Sequence, residues 1–192
     1  MKKEVLSAVA VVCLAVTLTG CVKIIDKGTE GQYTGEVAFD ASADSSSDWG
    51  QITEEITAAA VELSDVLNGD GIGSDTVAVK GTGTVKELIT KGPKNILALE
   101  VEGCEDEIQL QVGSVYSGTA LRDIQTLKTF EDFTNQTEWS QYAKALNAEM
   151  HGQVVEPLAI DDSIVGKKVT FAGGATQSGG TVTITPASLS VE

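Results

Sequence analysis

Basic side chains, thiols and imidazoles are scarce in this chain. Lysine and arginine together number 13 against 28 acidic residues, and Arg122 is the one arginine. A net charge of −15 repels phosphates, which argues against nucleic acid and against anionic headgroups as partners. Three prolines leave no Pro-rich linker, and a single histidine, His151, leaves little scope for imidazole catalysis. No apolar run reaches the roughly 20 residues that a membrane-spanning helix needs. The apolar run at the start, Val5–Leu18, is only 14 residues long.

That short run has a specific setting. Lys2 and Lys3 precede it, and small residues and a cysteine follow it in Leu18-Thr19-Gly20-Cys21. A basic start, a short apolar core and small residues at the cut describe a secretory signal peptide. Leu-x-Gly-Cys resembles a bacterial lipobox, which implies that residues 1–20 are removed and that the Cys21 sulfur carries a diacylglycerol. Two or three acyl chains hold a protein on a membrane, where one chain is marginal. The alternative is an uncleaved N-terminal anchor helix; both readings put the globular part outside the cytoplasm. Val22 after the cysteine resembles the pattern for the outer membrane, if the organism has two membranes.

Cleavage before Cys21 leaves 172 residues, enough for one domain with its own core. Cys13 leaves with the signal and Cys21 is acylated, so Cys104 stands alone and no intramolecular disulfide can form. The acidic turn around Cys104 opposes thiolate formation, which makes it a poor nucleophile.

Residues 21–35 read as a tether and 36–192 as one globular domain, with a first extended element around Glu36 to Phe39. Asp40 to Asp48 (DASADSSSD) is a loop by composition, and Asp48 with Gln51 forms a capping pair. Ile52, Ile56, Ala59, Leu63 and Val66 then recur at helical spacing, and Asn68-Gly69 ends that helix. Short β-branched or alternating runs follow: DTVAVKGTGTVKELIT, NILALEVE and EIQLQVG, parted by turn residues. They predict a three-stranded meander. A second helix is predicted from about Glu131 to Met150, and two closing strands in the tail. The fold class is α+β: an antiparallel, partly OB-like barrel or curled sheet with two main helices. An open sheet with two helices packed on it is the alternative.

Motifs for chemistry are absent. Asn68 to Asp75 suggests a calcium loop, but Val66 and Val77 would fall on its essential first and twelfth positions. No phosphate loop, no dinucleotide fingerprint and no Gly-x-Ser-x-Gly elbow occurs, so no cofactor, no metal and no catalytic residue is predicted. His151 beside Gly152 reads as a helix-end cation, favoured by the dipole.

One polar constellation remains. On the second helix Trp139, Tyr142, Ala143, Leu146 and Met150 form an apolar stripe. Projected backward, the same face includes Asn135 and Gln136, and buried amides left unpaired cost about 1–3 kcal/mol each. Arg122 and Asp123 are the nearest candidates as partners. The cluster is either a structural plug or a small pocket of Arg122, Asp123, Asn135, Gln136 and Trp139 for a sugar or a small carboxylate.

The lipobox, GTVKELI, LQVGSVYSGTALRD, FEDFTNQTEWSQYAKALN and the closing GKKVTFAGGATQ and VTITPASLSV carry a resemblance. Together they resemble a family of predicted periplasmic lipoproteins known as a domain of unknown function. The likeness spans most of the mature chain, and Gly118–Asp123 with Phe133, Asn135 and Gln136 are its most specific parts. It implies an exported lipoprotein of no established activity, sometimes encoded beside ribose-type sugar importers. A non-enzymatic binding or accessory module, with an importer component as a partner, is the expectation. A structural envelope protein is the alternative, and a hydrolase ranks last.

Overall fold

The computed structural model describes residues 39–192. The readings of 1–20 as signal, of Cys21 as the acylated residue, of the tether at 21–35 and of an extended element before Phe39 lie outside the described residues.

The first helix, α1 (Ala41–Ala59), begins earlier than its composition suggests. Asp40 caps it, its carboxylate accepting from the Ser42 and Ala43 amides at 3.0 and 3.1 Å. Ser45, Trp49, Ile52 and Ile56 are its buried residues, spaced as one helical face. The expected loop at 40–48 is therefore two turns of helix. Ser45 fits the buried stripe because its hydroxyl donates to the Ser42 carbonyl at 3.1 Å. Asp48 is not a cap.

The helix also stops earlier than expected. At Ala60 the backbone turns extended, and β1 (Val61–Glu62) pairs in parallel with Val79 and Lys80 before α2 (Leu63–Asn68) resumes. Periodicity continues through this break, so only the pairing to another strand reveals it. Gly69 ends α2, as Asn68-Gly69 predicts.

The meander is β2 (Val77–Ile89), β3 (Ile96–Val101) and β4 (Glu107–Gln111), paired antiparallel in sequence order. After the helical segment come β5 (Lys168–Ser178) and β6 (Thr181–Val191), joined by Gly179-Gly180. Both glycines have positive φ, 58° and 80°, as a two-residue turn between twisted strands requires.

Closure follows from the length of β2. Its first part, Val77–Thr84, pairs with β5, and its last, Gly83–Ile89, pairs with β3. A register shift between Val85 and Glu87 lets one strand serve both neighbours. The strand order is β1-β2-β3-β4-β6-β5, with β5 returning to β2, so β2 to β6 form a closed five-stranded barrel among the described residues. The sheet is mixed rather than wholly antiparallel: β4 and β6 run parallel, because the helical crossover reverses the chain before the final hairpin.

Inward residues alternate along each strand. Val79, Leu97, Leu110, Val169, Ala175, Val182 and Ile184 are fully buried, and Phe171 fills the interior with them. Each large aliphatic or aromatic side chain contributes about 1.5–3 kcal/mol relative to exposure. Between β4 and β5 the chain forms α3 (Ala120–Ile124), a turn at Phe130–Asp132 and α4 (Gln136–Met150). Beyond Met150 the winding continues as a π-helical turn, His151–Val155, so His151 does not mark the last turn as expected.

Candidate functional site

The site is built from the segment after β4. Gln111, at the end of that strand, is 6% exposed. Its Nε2 donates to Thr185 Oγ1 at 2.8 Å and to the Ser117 carbonyl at 3.1 Å, and its Oε1 accepts from the Ser117 amide at 2.8 Å. One buried amide thus pins the loop 113–119 to the barrel. Asn147 of α4 adds a bond from Nδ2 to the Gly118 carbonyl at 3.3 Å, and its buried Oδ1 has no partner among the described residues. Tyr116 Oη lies 2.9 Å from His151 Nδ1. Burial raises the Tyr116 phenol well above its ordinary value.

Helix α3 then lies against β5 at Gly174, where a Cβ would stand 2.9 Å from the Ala120 Cβ. Ala120 and Leu121 are buried there. Gln125, also buried, closes the next turn: its Nε2 donates to the Arg122 and Lys128 carbonyls at 3.1 and 2.6 Å, and its Oε1 accepts from the Lys128 amide at 2.8 Å. The backbone that carries Arg122 and Asp123 is held on both sides.

Arg122 is the centre of this corner. Its side chain is 13% exposed, and it donates from Nε and Nη2 to Asp123 Oδ1 at 2.9 and 2.6 Å. Asp123 Oδ2 accepts from Thr119 Oγ1 at 2.5 Å. The guanidinium carbon lies 4.5 Å from the Trp139 ring centroid, a cation–π contact. Phe133 and Phe130 lie at 5.0 and 6.5 Å from the same ring, and Phe130 is 48% exposed. A guanidinium has five N–H donors. Three of them find no acceptor among the described residues.

Of the sequence-derived cluster, then, Arg122, Asp123 and Trp139 come together. Asn135 and Gln136 do not join them: both are exposed. Asn135 is the N-cap of α4, with its Oδ1 accepting from the Thr137 and Glu138 amides at 2.9 and 3.0 Å. Its backbone is extended, φ −161° and ψ 168°. The helical face cannot be projected backward across such a residue, which is why the inward placement fails for Asn135; Gln136, the first helical residue, is exposed as well. Glu138 Oε2 reaches back to the Thr134 amide at 2.9 Å and completes that helix start.

A second polar group was not legible. Lys128 Nζ pairs with Asp48 Oδ2 at 2.8 Å and Asp44 Oδ2 at 3.4 Å, and lies 5.2 Å from the Tyr142 ring centroid. Burial alone would lower this ammonium, but its hydrogen bonds and attraction to Asp48 and Asp44 raise it overall. Asp44 and Asp48 at i, i+4 on one helix are the only local signal for it. Cys104 behaves as expected: burial first, then Asp106, pushes its thiol up.

Among the described residues, clefts lie elsewhere. One, of about 200 Å³, is lined by Leu158, Ile160, Asp161, Ile164, Lys167 and Val191 among others; another, of about 480 Å³, by Thr82, Gly83, Thr84, Glu100, Glu102 and Lys168. Neither includes Arg122.

Among solved structures, the chain is similar to an OB-fold protein (tm0957) from Thermotoga maritima, with TM-score 0.60 and 16% identity over 81% of this chain and 100% of that one. At this identity the likeness establishes the fold alone. The S. pombe Stn1–Ten1 complex matches at TM-score 0.30 and 10% identity, over 60% of this chain and 57% of that one, which supports no argument. No curated protein matches the chain. Residues 11–190 match the family described as predicted periplasmic lipoprotein (DUF2291), so the chain belongs to that family and its barrel is an extracytoplasmic OB-type domain.

Proposed function

We propose that this protein is a lipid-anchored, non-enzymatic binding or accessory module, acting at a membrane surface outside the cytoplasm. Cys21 is the anchor, on the cytoplasmic membrane or, in a two-membrane cell, on the outer one. The ligand site is the corner of Arg122, Asp123 and Trp139, and the ligand is a sugar or a small carboxylate. Association with a sugar importer belongs to the same reading.

The observation that carries it is the lone arginine, 13% exposed and stacked on Trp139, with three N–H donors that no described residue accepts. The unused donors are not among the buried unpartnered atoms of the described residues, so they face solvent on a guanidinium fixed by Asp123 and Trp139, where a ligand can accept from them. Calorimetric titration with pentoses, hexoses and their acids tests the proposal. Saturable heat that disappears in Arg122→Ala supports it; no heat with any of them, and unchanged sugar uptake by cells carrying Arg122→Ala, sinks it. For the anchor, the expected outcome is palmitate labelling of the wild-type chain and release of Cys21→Ser from membranes.

The second reading is structural, and the pairing of Arg122, Asp123 and Thr119 within one short segment favours it. It predicts that Arg122→Ala lowers the melting temperature while leaving uptake intact. A hydrolase ranks below both, since His151 is bonded to Tyr116 rather than to a serine.

A further inference from the structure

Resting on that binding reading, we infer that the Arg122 corner selects an uncharged ligand bearing two adjacent hydroxyls, and discriminates against a carboxylate. An isolated guanidinium would favour an anion. This one is already paired: Asp123 Oδ1 accepts from its Nε and Nη2, at 2.9 and 2.6 Å. The pair is electrically balanced, and its unused groups are of both kinds. Three guanidinium N–H donors stand beside Asp123 Oδ2, which accepts one bond from Thr119 Oγ1 and has a second lone pair.

Donors and an acceptor fixed on neighbouring atoms are complemented by a group that both accepts and donates on neighbouring atoms. A vicinal diol does this: one hydroxyl oxygen accepts from the guanidinium while the next donates to Oδ2. A carboxylate offers acceptors only, and it would set its charge beside that of Asp123. The setting disfavours it further, because Glu131 and Asp132 follow Phe130 in sequence, Glu138 precedes Trp139, and the whole chain carries −15. Arg122 covers one face of Trp139. Phe130, 48% exposed and edge-on to Trp139, offers an open aromatic surface against which the C–H face of a polyol ring can pack.

The test is a matched-pair titration of the full lipidated chain in detergent, using glucose against glucuronate and galactose against galacturonate, pairs that keep the ring and differ only at C6. Isothermal calorimetry and tryptophan fluorescence are the readouts. The neutral member should bind about tenfold more tightly or better. Asp123→Asn should narrow or reverse that ratio, because it uncovers the guanidinium charge. Thr119→Val, which frees Oδ2 without changing charge, should keep the preference and guards against a variant that fails to fold. Tighter binding of the acids by the wild type would overturn this inference and leave the binding reading standing. An unchanged ratio in a folded Asp123→Asn would also overturn it. Absence of binding by all four compounds up to about 10 mM would overturn both.

Discussion

Tyr142 Oη donates to Asp48 Oδ2 at 2.8 Å across 94 positions of sequence, joining α4 to α1. Asp48 accepts from Lys128 through the same oxygen, so three segments meet at one carboxylate. Tyr142 is fully buried. Tyr142→Phe keeps the ring packing and removes the bond, and should cost about 1.5–2 kcal/mol because the acceptor is charged. Asp48→Ala leaves a mostly buried ammonium with only the longer contact to Asp44, and should cost about 3 kcal/mol. Urea denaturation of the two variants measures both, and equal losses would contradict this ranking.

The same group dictates alkaline behaviour. Burial and then Asp48 raise the Tyr142 phenol, and burial raises Tyr116. Lys128 is raised by its carboxylates against the pull of burial. In each case the folded chain holds a proton that the unfolded chain releases sooner. The resulting stability is fully present below the ordinary tyrosine and lysine values, 10.0 and 10.5, and is lost as pH rises beyond them. Urea midpoints should fall from about pH 10 upward. A double Tyr116→Phe, Tyr142→Phe variant should show a shallower decline.

Asn135→Ala removes the cap of α4 and should lower stability by about 1 kcal/mol. Ligand binding at Arg122 should be unaffected, since Asn135 is exposed and committed to the helix start. A thermal melt with a parallel titration checks both statements. Loss of binding without loss of stability would restore Asn135 to the site.

Gln111→Leu is close in volume but strands Thr185 and both polar atoms of the Ser117 backbone. The expected cost is about 2–3 kcal/mol. Amide exchange should quicken in 113–119, the loop that Gln111 ties to the barrel. Unchanged exchange there would show that Asn147 and Tyr116 suffice.

Gly174→Ala places a methyl group 2.9 Å from the Ala120 Cβ. Helix α3 must move away from β5, at about 1–3 kcal/mol. Because α3 carries Arg122, the tryptophan emission of Trp139 should shift as its cation partner moves. A variant that is destabilised yet keeps wild-type emission would show that α3 moves without disturbing the stack.

How far the fold was legible depends on the range of the forces involved. The strands of the meander were readable because alternation and turn residues are local. The stripe Tyr142, Ala143, Leu146 and Met150 was readable for the same reason. The segment at 40–48 misled because serine and aspartate suggest a loop, while one capping carboxylate and a stripe starting at Ser45 make it a helix. Asn135 misled because a face was extended past the residue where the helix begins.

Composition and spacing alone determined the export signal expectation, the five barrel strands, the presence of two main helices and the helix stop at Gly69; that Arg122 pairs with Asp123 came from the structure. Tertiary structure decided the rest: that β5 returns to β2 and closes the barrel, that β4 and β6 run parallel, that Arg122 stacks on Trp139, and that Asp48 faces Tyr142. Local patterns reflect which side of a segment is apolar. They hold no record of which distant segment covers that side, since this depends on how the whole chain shares out its buried surface and hydrogen bonds.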